Sequence, residues 1–169
     1  MSKLKKVELE LELILDAENY NWVDQFCPLW AKPYLKLSRL DRPVGTWLLL
    51  LPCWWGSGMA ILSKSSLPEL NDYWIIISCV LGAILMRGAG CTWNDISDQK
   101  FDAQVKRTKL RPLPSGQIST QKAIVWMLIQ CFLSFLILLT FNSFAVIVGL
   151  LSTIPVLIYP FAKRFTWWP

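Results

Sequence analysis

Apolar positions along the chain fall into four blocks: Thr46 to Leu62, Tyr73 to Trp93, Ala123 to Leu139 and Ser143 to Phe161. A helix needs about 20 residues to cross the roughly 30 Å of bilayer hydrocarbon, and each block reaches or nearly reaches that length. The pattern predicts four transmembrane spans, at 46–62, 73–93, 123–139 and 143–161. A single charge, Arg87, interrupts them. Helices apolar on every side need a large protein core or lipid around them, and 169 residues provide no such core. Pro155 predicts a kink in the fourth span, where neighbouring helices can satisfy the freed carbonyl. The fold class read from this pattern is all-α, a polytopic transmembrane helix bundle.

Polar positions organise the remainder. Residues 1–27 read as an N-terminal arm, charged throughout and without the uninterrupted apolar core of a cleavable signal. Val7 to Leu13 alternates apolar and acidic residues, which suits a short strand or an amphipathic arm, but a loosely ordered tail is the expectation there. Residues 28–45 interleave Leu, Trp and Tyr with Lys32, Lys36, Arg39 and Arg42. That pattern suits a helix lying in the membrane interface, its basic side chains reaching the headgroups. Residues 46–169 form the transmembrane domain.

Composition narrows the chemistry. The chain is 54% hydrophobic and 17% charged, with ten tryptophans and no histidine. A Ser-His-Asp triad, a histidine base and an imidazole zinc site are excluded. Cys27, Cys53, Cys79, Cys91 and Cys131 form no C-x-x-C pair, so no disulfide framework is expected. The net charge of +5 is membrane orientation rather than nucleic-acid binding. Basic residues cluster before span one, between spans two and three, and after span four, with Lys64 alone on the opposite side. The positive-inside rule makes the basic side cytoplasmic, with both termini there.

The candidate chemistry lies at the cytoplasmic end of span two, where Asn94 to Asp102 reads N-D-x-x-D-x-x-x-D. No proline interrupts 72–110, so span two is expected to continue as helix into this run. At about 100° per residue, Asn94 lies about −20° and Asp98 about +20° from Arg87, on one stripe. Asn94, Asp95, Asp98 and Asp102 are candidate metal ligands, and an oxygen-only set favours Mg²⁺ or Ca²⁺. Arg107, Lys109 and Arg111 follow at once, and acids beside a cationic clamp suit a phosphate ester or diphosphate. A solvated acidic helix end followed by a basic stop-transfer loop has the same spacing. Arg87 suits an anion such as a carboxylate near the bilayer surface, with snorkelling as the alternative. Gly88 and Gly90 beside it suit close helix packing.

The run RGAGCTWNDISDQKFDAQVKRTKLRPLPSG resembles the first aspartate-rich motif of the intramembrane prenyltransferases, the UbiA superfamily. Within it, the sequence is most similar to the 4-hydroxybenzoate polyprenyltransferases of bacterial ubiquinone synthesis. RLDRPVGTWLLLLPCWW and YPFAKRFTWWP support the likeness, which covers roughly residues 35–169. The resemblance implies a fold of about nine spans, of which four are present, in a bacterial inner membrane. It implies Mg²⁺-dependent transfer of a polyprenyl group from polyprenyl diphosphate to 4-hydroxybenzoate. It places Asn94, Asp98 and Asp102 at the Mg²⁺-diphosphate site, with Asp95 a weaker candidate. Arg107 and Arg111 fall where the family's loop contacts diphosphate, with Lys109 a further candidate, and Arg87 falls where the aromatic acid binds. Asp98, Asp102 and Arg87 are the expected catalytic set. Indoles and phenyl rings could face the allylic cation in the apolar cavity; which of Trp47, Trp54, Trp55 and Trp93 line it is left open, and most of the ten tryptophans are expected to be lipid-facing or interfacial anchors.

One departure stands out: no Asp or Glu follows Asp102. The family's second acidic motif is missing, so the chain is expected to be an N-terminal half, inactive alone unless a second-half polypeptide completes it. The competing reading is a non-catalytic membrane subunit or remnant that binds a lipid diphosphate. A small channel or transporter fits less well, since the spans hold one charge and no repeat.

Overall fold

The computed structural model describes residues 21–64 and 67–162. Residues 1–20, which hold most of the expected arm, and the terminal segment 163–169 lie outside the described residues. Every regular element among the described residues is a helix: α1 Trp22–Phe26, α2 Lys32–Leu37, α3 Val44–Ser63, α4 Leu70–Asp102, α5 Thr120–Leu138 and α6 Ser143–Ala162. The last four are long and apolar enough to cross a membrane, and they fall on the four expected spans. Their large side chains stay largely uncovered: Leu48, Phe132 and Leu151 are 70%, 60% and 59% exposed. Such surfaces are stable against lipid tails, which are as apolar as they are.

Helix α4 departs from its expected span. It has 33 residues, against the block at 73–93. At 1.5 Å per residue it is about 50 Å long, more than hydrocarbon alone requires. Its start is fixed by a capping box, in which Glu69 and Asp72 each bond the other's backbone N–H. Its far end carries the acidic run, and the expected continuation of span two through Asn94, Asp98 and Asp102 is observed. At the other end, the Lys64 ammonium donates to the Asp72 carboxylate at 2.5 Å and closes the α3–α4 hairpin. That hydrogen bond raises the Lys64 pKa above the ordinary lysine value. With Asp72 ionised, the link is complete below the ordinary lysine value and is lost as pH climbs through the raised one, so it persists at neutral pH.

Residues 22–26, within the expected arm, form a short helix. Asn21 caps α1 by accepting from the Asp24 N–H at 3.0 Å. The Trp22 indole donates to the Leu40 carbonyl at 2.8 Å, a contact 18 residues away that local pattern does not reveal. Helix α2 ends in a Schellman motif: the Arg39 N–H bonds the Lys36 carbonyl and the Leu40 N–H bonds the Leu35 carbonyl. The left-handed position, usually glycine, is Arg39 at φ 57°.

A polar node fixes α2 against the bundle. The Trp126 indole and the Gln130 amide of α5 both donate to the Ser38 hydroxyl at 2.8 Å. Gly88 of α4 makes room for the crossing, since a Cβ there would lie 2.7 Å from the Gln130 amide nitrogen and 3.0 Å from the Ser38 Cβ. The use of Gly88 is thus close packing. Beside the node, Leu37, Leu113, Ile118 and Ala123 form a small buried cluster that joins α2 and the loop after α4 to α5.

Ser38→Ala leaves the buried Gln130 amide and the half-buried Trp126 indole without their acceptor, and loss of a buried donor's partner costs about 1–3 kcal/mol. Thermal unfolding in detergent should show a clearly lowered midpoint. An unchanged midpoint would show that the node contributes nothing.

Candidate functional site

Helix α4 delivers Asn94 and Asp95 to the polar end of a cavity of about 1470 Å³, whose walls come from α3, α4, α5 and α6. Small-molecule pockets usually measure about 300–1,000 Å³. The polar end is lined by Arg39, Arg87, Asn94, Asp95, Arg107 and Arg111, and the far end by apolar side chains such as Leu138 and Phe141.

Asp95 organises the polar end. It is 1% exposed. Arg39 Nη2 donates to its two oxygens at 2.9 and 3.1 Å, and Arg111 Nη1 reaches Oδ1 at 3.5 Å. The same Arg111 nitrogen donates to Asp102 Oδ2 at 2.9 Å. Asp95 and Asp102 are seven residues apart, about −20° on the helix, so one guanidinium spans both. Each Arg is held from behind. Arg39 follows Ser38 of the polar node, and Arg111 lies two residues before buried Leu113. The loop between is fastened where the Thr108 hydroxyl donates to the Asp102 carbonyl at 2.9 Å.

The sequence-predicted residues divide on this geometry. Arg87, Asn94, Asp95, Arg107 and Arg111 come together on the cavity wall, while Asp98, Asp102 and Lys109 are not among its lining residues. Asp98 stands one helical turn beyond Asn94 on the partly exposed face of α4. Lys109 is exposed on the loop. No group of three or more His, Cys, Asp or Glu side chains close enough to hold a metal ion occurs among the described residues. Asp95 has both oxygens engaged by guanidiniums, and Asp102 has one. Arg87 makes no hydrogen bond or ion pair among the described residues, and its Nε is buried without a partner.

None of Trp47, Trp54, Trp55 and Trp93 lines the cavity. Trp47 and Trp54 pack edge-on at 6.2 Å, Trp55 is 71% exposed, and the Trp93 indole bonds the Leu157 carbonyl at 3.2 Å. The aromatic lining is Phe135, Phe141 and Tyr159. Pattern reading missed Arg39, which it assigned to the headgroups. Its one local signal is a charged residue just after α2, in a position suited to glycine.

Comparison with known proteins places the chain. The model of the UbiA prenyltransferase family matches residues 49–169. The chain is 41% identical over 167 residues to 4-hydroxybenzoate polyprenyltransferase, mitochondrial, of Arabidopsis thaliana, which covers 99% of this chain and 40% of that protein. It is 45% identical to the protein of the same name from Bos taurus, covering 84% of this chain and 37% of the other. It is 44% identical to 4-hydroxybenzoate octaprenyltransferase of Vibrio atlanticus, covering 82% and 47%. The chain thus spans less than half the length of these relatives. No solved structure matches.

Asp95→Ala leaves Arg39 and Arg111 without their shared carboxylate, and breaking a buried pair costs about 3–5 kcal/mol. Asp98→Ala, on the partly exposed face, should cost less than Asp95→Ala, since a half-exposed carboxylate is partly solvated. Reversible unfolding of both variants checks the contrast. Equal losses would contradict the assignment of Asp95 as the structural anion.

Proposed function

This chain belongs to the UbiA prenyltransferase family, and on that premise we propose that its site serves transfer of a polyprenyl group from polyprenyl diphosphate to 4-hydroxybenzoate, with Mg²⁺ as cofactor. The observation that carries this reading is an apolar cavity whose polar end unites Asn94 and Asp95 of α4, two loop arginines and Arg87, whose Nε is buried without a partner among the described residues. The relatives' names supply the substrate pair.

The donor set fits Mg²⁺. The ion typically takes one or two carboxylates and fills its shell with water and substrate phosphates, so no all-protein cage is required. Asn94 and Asp98 would hold it, with the free oxygen of Asp102 and, more weakly, Asp95. When bound, it neutralises charge on the diphosphate. Arg107 and Arg111 bind the diphosphate oxygens by charge-assisted hydrogen bonds, with Lys109 at the rim. The bond from allylic carbon to diphosphate oxygen breaks in a water-poor cavity, where Phe135 and Tyr159 can face the cation. Arg87 orients the acceptor through its carboxylate. The new carbon–carbon bond forms next to the phenol oxygen, and the ring proton passes to the released diphosphate.

The reaction is proposed for the whole family fold, in which further residues or a second-half polypeptide supply the second acidic set. The basic loop 103–119 is placed on the positive-inside face, cytoplasmic in a bacterial inner membrane or facing the matrix in a mitochondrion. A second reading is a non-catalytic membrane subunit or remnant binding a lipid diphosphate, for which Arg107 and Arg111 on the cavity wall would suffice.

The test joins this chain to the remaining length of the Vibrio relative and measures prenylated 4-hydroxybenzoate by mass spectrometry. Product should form, and Asp98→Asn should reduce it at least 100-fold. Unchanged product in Asp98→Asn would remove the metal assignment. Geranyl diphosphate binding with no product would favour the second reading.

A further inference from the structure

Arg87 differs from the other arginines of the cavity. Carboxylates fix Arg39 and Arg111, whereas no hydrogen bond or ion pair among the described residues fixes Arg87. What fixes it is space. Gly45, in the first turn of α3, lines the same cavity. A Cβ on Gly45 would lie 2.4 Å from Arg87 Nε and 2.5 Å from Cζ and Nη2. The guanidinium therefore occupies the volume that any other side chain at position 45 would fill. Backbone conformation does not demand glycine there, because Gly116 is the only described glycine with positive φ. Alanine has the better helix propensity. The colliding atoms are the far end of a flexible side chain, so an alanine displaces the guanidinium and leaves the helix pair intact.

We infer that Gly45 is a specificity-determining residue, whose missing side chain sets where Arg87 presents its donors and thereby where a carboxylate-bearing acceptor binds. This rests on the reading of Arg87 as the partner of the acceptor carboxylate. Gly45 is a positioning residue: it acts on the acceptor through Arg87 and leaves the diphosphate end untouched.

The test uses the full chain in nanodiscs and measures 4-hydroxybenzoate binding by calorimetry for the unchanged protein, Gly45→Ala, Arg87→Lys and the double variant. Gly45→Ala should weaken binding about tenfold, roughly the worth of one charged hydrogen bond. Inorganic diphosphate with Mg²⁺ should bind within about twofold of the unchanged protein, and the melting temperature should not fall. In the Arg87→Lys background, Gly45→Ala should add nothing, because the slimmer lysine end leaves the volume above Gly45 open. The Arg87 Nε–H resonance in ¹⁵N NMR should move in Gly45→Ala without any ligand. If Arg87→Lys weakens binding while Gly45→Ala does not, the role of Gly45 is overturned and that of Arg87 stands. If Arg87→Lys leaves binding unchanged, the Arg87 reading falls and the inference with it. An unmoved Nε–H resonance, or a lower melting temperature in Gly45→Ala, also overturns the inference.

Discussion

Asp95 is a carboxylate shut away from water near the end of a membrane-length helix, and the surrounding architecture answers to the guanidiniums that neutralise it. An isolated charge in such a place is strongly disfavoured, and the pair is tolerable only with close geometry and further hydrogen bonds. Arg39 comes from the turn after α2, and Arg111 from the loop after α4. The ion cluster therefore fastens an interfacial segment and a basic loop to one span. Supporting contacts lie directly behind it: the Ser38 node beside Arg39, and the Leu113 cluster beside Arg111. Arg39 holds a left-handed backbone, a conformation costing a non-glycine residue about 1–2 kcal/mol. The bond to Asp95 offsets that strain.

The cluster also sorts the acids. Asp95 is occupied on both oxygens and faces arginines, whereas Asn94 and Asp98 stand one turn apart on the neighbouring stripe. In the proposed function the first is scaffold and the second pair is metal-binding. Asp102 belongs to both, with one oxygen on Arg111. A guanidinium already held by carboxylates stays extended toward the cavity, so less rotamer entropy is lost when a diphosphate arrives.

Much of this was legible in the sequence. Four apolar blocks gave four helices, and an unbroken run without proline gave the continuation of α4 into the acidic motif. The stripe through Arg87, Asn94 and Asp98 followed from helical period alone. Contacts between distant segments were not legible. Asp95 pairs with Arg39 across 56 residues, and Trp126 meets Ser38 across 88. No local pattern separates a headgroup-seeking arginine from one that turns inward. The tryptophans near the cavity also pack on helix surfaces and bond carbonyls, leaving the lining to Phe135, Phe141 and Tyr159. The space above Gly45 is visible only once α3 and α4 are set side by side.

Division of labour between Asp95 and Asp98 is the centre of the reading, and a Mg²⁺ titration of inorganic diphosphate binding separates them most directly. With folded protein in nanodiscs, Asp98→Asn should abolish the Mg²⁺ dependence of binding. Asp95→Asn should retain that dependence while weakening binding at every Mg²⁺ concentration, because its arginines are no longer held in place. If Asp95→Asn lost the Mg²⁺ dependence as Asp98→Asn does, Asp95 would be a metal ligand and the division would be contradicted.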